Sequence, residues 1–185
     1  MQASREQKRE AYRAKAEAEL AALAERGVCT CGHAFSSVVL VKGEPSPEEL
    51  AGTAELLSGA DGVALRAALS TLGYAPEDWV GLASVDATGA PLEPALVREA
   101  LVVLDPATVV LCDGAAAEAF RQAYADELAG LSSFEEAMLA EGVVAHVLGM
   151  RVLALGGFEA ALADDARKRT MWVRLKQIPP LGEPY

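Results

Sequence analysis

The chain has few of the residues that carry most recognisable protein chemistry. Of its 185 residues, two are histidine and three are cysteine. Three thiols are not expected to make a disulfide framework in a chain read as cytoplasmic. Aromatic residues are only 5% of the total, which argues against an all-β protein. No apolar run approaches the about 18 residues of a membrane-spanning helix. The opening stretch MQASREQKREAYRAK is charged rather than signal-like, so a soluble cytoplasmic protein with no membrane partner is expected. Basic residues are scarce through the middle: residues 27–166 hold 21 acidic but 5 basic side chains, and the other 11 basic residues fall within Arg5–Arg26 and Arg167–Lys176. A body with a net charge of −16 would repel phosphates. It reads as a solvated acidic surface, with a localised nucleic-acid contact on the basic ends as the alternative.

What is present is aliphatic. Hydrophobic residues make up 52%, chiefly Ala, Leu and Val, enough for one domain with its own core. Residues 3–26 read as one helix with Tyr12, Ala16, Leu20 and Leu23 on a stripe, stopped by Gly27. SSVVLVKG (36–43) is an apolar run of the kind found in buried parallel strands. Ser46-Pro47-Glu48-Glu49 has the form of a capping box. A helix is expected from about Asp61 to Leu72, ending at Gly73. The alternation then repeats: strand 79–85, helix Pro94–Leu104, strand 107–113, and a helix from Gly114 to about Glu127. Ser132 or Ser133 caps a further helix. VVAHVLG and MRVLALG are short apolar runs meeting near Gly149, and a last helix runs from about Glu159 to Gln177, ended by Pro179 and Pro180. The expected domains are an N-terminal helix (1–27), one α/β domain (28–178) and a loose tail (179–185). Strand–helix alternation implies right-handed crossovers, a parallel sheet covered on both faces, and ligands at the carboxyl ends of the strands.

Individual motifs carry little chemistry. Cys29-Thr30-Cys31-Gly32-His33 is the most metal-like cluster, but a structural zinc site needs four ligands and no second Cys/His pair exists. These residues stand as weak metal candidates against a plain turn. His146 reads as a packed strand residue, and Cys112 as a thiol with no base placed near it. Lys42-Gly43-Glu44-Pro45-Ser46 follows the first strand yet lacks both glycine-rich phosphate signatures. Ser46 is explained as an N-cap. Glu44 is either a general base or a solvated carboxylate at a helix start. Asp86 and Asp113 also sit at strand ends.

Read in order, these segments resemble the uracil-DNA glycosylase superfamily, in particular its small iron–sulfur branch, from about Val28 to Leu175. VVLVKGEPS resembles that family's first strand and water-positioning motif. Gly59-Ala60-Asp61-Gly62 with VALRAALSTLGY resembles the turn and helix after its pocket aromatic. WVGLASVD stands at its asparagine-bearing strand, and LVREALVVLDPATVVLCDGAAAEAF is similar to its helix, strand and glycine turn. EGVVAHVLGMRVLALGGFEAALADDARKRTMW resembles the hairpin, terminal strand, His-Pro motif and Lys-Arg-x-x-Trp helix, with Lys168, Arg169 and Trp172 in place. The resemblance implies a three-layer α/β/α sandwich around a four-stranded parallel sheet.

The functional residues of that family mostly do not carry over. Its His-Pro pair falls on Gly157-Phe158, its pocket aromatic on Leu57, and Gly43 stands where its acid should be, so that only Pro45 matches in register. Glu44 replaces the acid only with a one-residue shift. Cys29 and Cys31 stand near its first cysteine pair with altered spacing, and no cysteine lies near Asp86 or Glu93, so no iron–sulfur cluster and no other cofactor is expected. The expected function is a non-catalytic domain that binds a small molecule or a protein partner through Gly43, Glu44, Pro45, Ser46, Leu57, Asp86, Gly157 and Phe158. The alternative is a divergent nucleobase glycosylase or other hydrolase using Glu44. A further reading makes the N-terminal helix a dimer seam.

Overall fold

The structure is a computed structural model that describes residues 5–182; Met1–Ser4 and Glu183–Tyr185, which include the start of the expected first helix and the end of the tail, lie outside the described residues. In chain order it runs α1 (Arg5–Glu25), β1 (Thr30–Gly32), β2 (Val38–Lys42), α2 (Pro47–Leu50), α3 (Ala60–Leu72), β3 (Val80–Ala83), α4 (Pro94–Leu104) and β4 (Thr108–Leu111). It continues with α5 (Gly114–Ala123), α6 (Ala125–Ala129), α7 (Phe134–Ala137), β5 (Val144–Val147), β6 (Met150–Ala154), α8 (Phe158–Ala161) and α9 (Asp165–Leu175).

The sheet is six-stranded and mixed, in the order β1-β3-β2-β4-β6-β5, not four-stranded and parallel. Its four inner strands pair in parallel. β1 and β5 flank them as antiparallel edges. The inner strands are apolar on both sides because both faces are covered. Alternation of side chains along β2 sends Val39 and Val41 into one core layer with Leu23, Leu101 and Phe120. Val38 and Leu40 go to the other layer with Leu65, Phe158 and Met171. Helices thus pack on both faces of the sheet.

Three expected elements change. Cys29-Thr30-Cys31 is not a turn: residues 30–32 form strand β1, because the open edge of β3 gives their backbone groups partners. The helix after Gly114 breaks at Tyr124, which closes α5 and precedes α6. The last helix is two, since the Asp164 side chain accepts a hydrogen bond from Arg167 N and caps a new helix, α9, at 2.8 Å. The expected α1 stripe is also spent unevenly. Leu23 is buried and Leu20 packs against the same cluster, whereas Tyr12 is exposed. No described helix is long and apolar enough to cross a membrane.

Candidate functional site

After β2 the chain returns to the sheet as β3 on one side, and after β3 it crosses over to β4 on the other side of β2. The carboxyl ends of β2 and β4 therefore form the switch point, where open α/β sheets bind ligands. Here that crevice is laced shut by Asp113. Its carboxylate accepts hydrogen bonds from Gly43 N (2.9 Å), Glu44 N (3.0 Å) and, as the cap of α5, from Ala116 N (2.8 Å). Gly43 is required by this closeness, since a Cβ there would lie 2.3 Å from Ala116 N.

Lys42, the last residue of β2, fills the space beneath. Its side chain is buried, with Nζ 2.6 Å from Asp61 Oδ2, 2.8 Å from Glu49 Oε2 and 3.5 Å from Glu159 Oε2. Burial by itself would lower the Lys42 ammonium, but its hydrogen bonds to Asp61 and Glu49, and their charges, outweigh that and raise it, so it stays cationic. Glu49 is held on all sides: its Oε2 also accepts from Ser46 N at 2.7 Å, and its Oε1 from Leu57 N at 2.6 Å. Asp61 Oδ1 is buried and has no partner among the described residues. The cavity left among Lys42, Asp61, Asp113, Gly157 and Phe158 has a volume of about 60 Å³.

The thiol at this cavity is held protonated. It belongs to Cys112, and burial first, and then the charges of Asp113 and Asp61, push it well above the ordinary range. The lone pairs of Asp113 are taken by amides. Glu44 is exposed at the edge and forms no ion pair among the described residues.

The sequence candidates divide between two places. Glu44, Gly157 and Phe158 border the small cavity, while Gly43 seals it. Ser46 completes a capping box with Glu49. Pro45 and Asp86 instead border a second, larger cavity of about 410 Å³ beside the end of β3. Leu57 belongs to neither: it is fully buried in the core, with its carbonyl accepting from Arg66 Nη1 at 2.7 Å. It is there because the chain at Gly62 lies against it, where a Cβ would come 1.7 Å from Leu57 O.

The strand β1 spreads the metal candidates Cys29, Cys31 and His33 along its length. An extended strand antiparallel to β3 puts Cys29 beside Ala83 at one end of the sheet and His33 beside Trp79 at the other. Cys31 is buried, its Sγ 3.1 Å from Leu56 O, and burial foremost pushes its thiol up to about 12. Among the described residues no group of three or more His, Cys, Asp or Glu could hold a metal ion. His146 is exposed on the edge strand β5 rather than packed. Lys42, Glu49 and Asp61 were not legible as a group. The only signal was a lysine at the end of an apolar strand, which a buried parallel strand carries only if the charge is paired.

No protein-family model matches the chain, and no curated protein does.

Proposed function

We propose that the chain is a non-catalytic α/β domain of uracil-DNA glycosylase type that binds a small molecule at the carboxyl ends of its strands. One observation carries this reading. At the ends of β2 and β4, with Lys42 and Asp61 in its wall, the cavity has a volume of only about 60 Å³. An apolar cavity of about 150 Å³ binds benzene, and the cavity here is well below that volume, which supports the loss of base excision. The ordered resemblance from Val28 to Leu175 supports the family, and Gly157 and Leu57 at the positions of its imidazole and stacking aromatic support the loss of activity. The larger cavity by Pro45 and Asp86 supports binding, since about 300–1,000 Å³ is the usual range for small-molecule sites.

A second reading keeps one residue in play. Glu44 is an exposed carboxylate at the mouth of the small cavity, which suits a general base in a divergent hydrolase. The test is release of uracil from a single-stranded oligonucleotide at low salt by the unaltered protein and by Glu44→Ala. No release by either protein is expected. Release that Glu44→Ala abolishes would replace the binding reading with the hydrolase.

A further inference from the structure

The cavity of about 410 Å³ lies between the end of α1, β1, the α2 turn and the end of β3. Its walls are mostly aliphatic, with Val28, Leu50, Leu56 and Val85 among them, and Cys29 and Asp86 stand at its polar side. Among the described residues, no lysine, arginine or histidine lines it. Arg26 pairs with Glu99 at 2.8 Å, the Lys42 ammonium with Glu49 at 2.8 Å, and Arg66 donates to the Leu57 carbonyl at 2.7 Å. Two carboxylates, those of Glu49 and Asp86, line the cavity, and the Cys29 thiol is raised above its ordinary value. Burial raises it first, and the charges of Glu49 and Glu55 raise it further.

Asp86 supplies a fixed anion. Its Oδ1 accepts from Thr88 N (2.8 Å), Thr88 Oγ1 (2.6 Å) and Ala90 N (3.1 Å), while none of these bonds uses Oδ2. The Thr88 hydroxyl, followed by the turn amides, holds the carboxyl below its ordinary value. It is therefore ionised throughout the neutral range.

We propose that this cavity binds a small organic amine, with its apolar body against Val28, Leu50, Leu56 and Val85 and its ammonium on Oδ2 of Asp86. An aliphatic wall favours an apolar body, and an anion without a competing cation selects against carboxylates and phosphates. The inference rests on the small-molecule reading above and names the ligand class of that same strand-end region.

Cys29 gives a direct readout, because it is the exposed cysteine while Cys31 and Cys112 are buried. The rate of its single alkylation by iodoacetamide is followed by intact mass, alone and with 2-phenylethylamine, 2-phenylethanol or 3-phenylpropionate. A bound probe slows the reaction by 1 + [L]/Kd, so about 10 mM of an amine with Kd about 2 mM slows it about sixfold. The amine is expected to protect most, the alcohol less and the carboxylate not at all. Asp86→Asn should reduce protection by the amine to that by the alcohol. Ala24→Trp, on the exposed wall of α1, should abolish protection by filling the cavity. Equal protection by amine and carboxylate, no protection by any probe, or full protection in Ala24→Trp would overturn the proposal. Uracil release would overturn the non-catalytic reading and leave protection by the amine standing, so the two failures are distinguishable.

Discussion

Lys42 and Asp61, 19 residues apart, meet as a buried ion pair with Nζ 2.6 Å from Oδ2. The pair joins the end of β2 to the first turn of α3, and the bond that Lys42 donates to Glu49 extends it to α2. Three carboxylates, those of Asp61, Glu49 and Glu159, surround one ammonium, and Asp61 Oδ1 has no partner among the described residues. Such a site is sensitive to removal of its cation.

Lys42→Met should therefore destabilise the fold by about 3–5 kcal/mol, the usual cost of stranding buried charge by deleting its partner. Lys42→Met combined with Asp61→Leu should cost less than Lys42→Met alone, because one stranded carboxylate is gone. Urea midpoints of the three proteins measure this. A single variant within about 0.5 kcal/mol of the unaltered protein would show that the charge is not confined.

Gly43→Ala should cost about 1–3 kcal/mol through overpacking. The added carbon would face the backbone of Ala115 and Ala116, and relieving it draws the chain away from the Asp113 carboxylate. Gly114→Ala is the control, since no atom lies within 4 Å of the site of its Cβ. It should stay within about 0.5 kcal/mol of the unaltered protein. Comparable losses in both variants would argue against close packing at Gly43.

Stability should fall on the alkaline side. Burial raises the thiols of Cys31 and Cys112 and the phenols of Tyr74 and Tyr124 in the folded state. A raised folded value means stability that is complete below the unfolded value, about 8.5 for cysteine and about 10 for tyrosine, and lost as pH rises beyond it. Each such group contributes a slope of up to about 1.4 kcal/mol per pH unit, because the unfolded chain then binds fewer protons. Urea midpoints at pH 8 and pH 10 should show the decline, and Cys112→Ala should reduce its slope. A midpoint that rises with pH would contradict the assignment of buried neutral thiols.

The purified protein should contain no stoichiometric iron. A cubane cluster generally needs four thiolates. The chain has three cysteines, with Cys31 in a strand, Cys112 buried beyond β4 and Cys29 at a cavity wall. Elemental analysis decides this, and one iron or more per chain would overturn it.

Much of the framework was legible in local sequence. Apolar runs marked the four inner strands, since strands buried on both faces tolerate little else. The capping box at Ser46 and the stop at Gly73 marked helix ends, because both satisfy backbone groups within a few residues. The edge strand β1 was hidden, as three residues with two cysteines become a strand only when β3 offers its free edge. Leu57 looked like a pocket residue by its place in the chain, yet the approach of Gly62 turns it into the core. Likewise, Lys42, Glu49 and Asp61 each had a local explanation, and their convergence depends on where β2, α2 and α3 meet. Periodicity and capping are short-range properties, written residue by residue. The shape and charge of a cavity arise from side chains distant in sequence, so the closed crevice at Lys42 and the open cavity at Asp86 were decided only by tertiary packing.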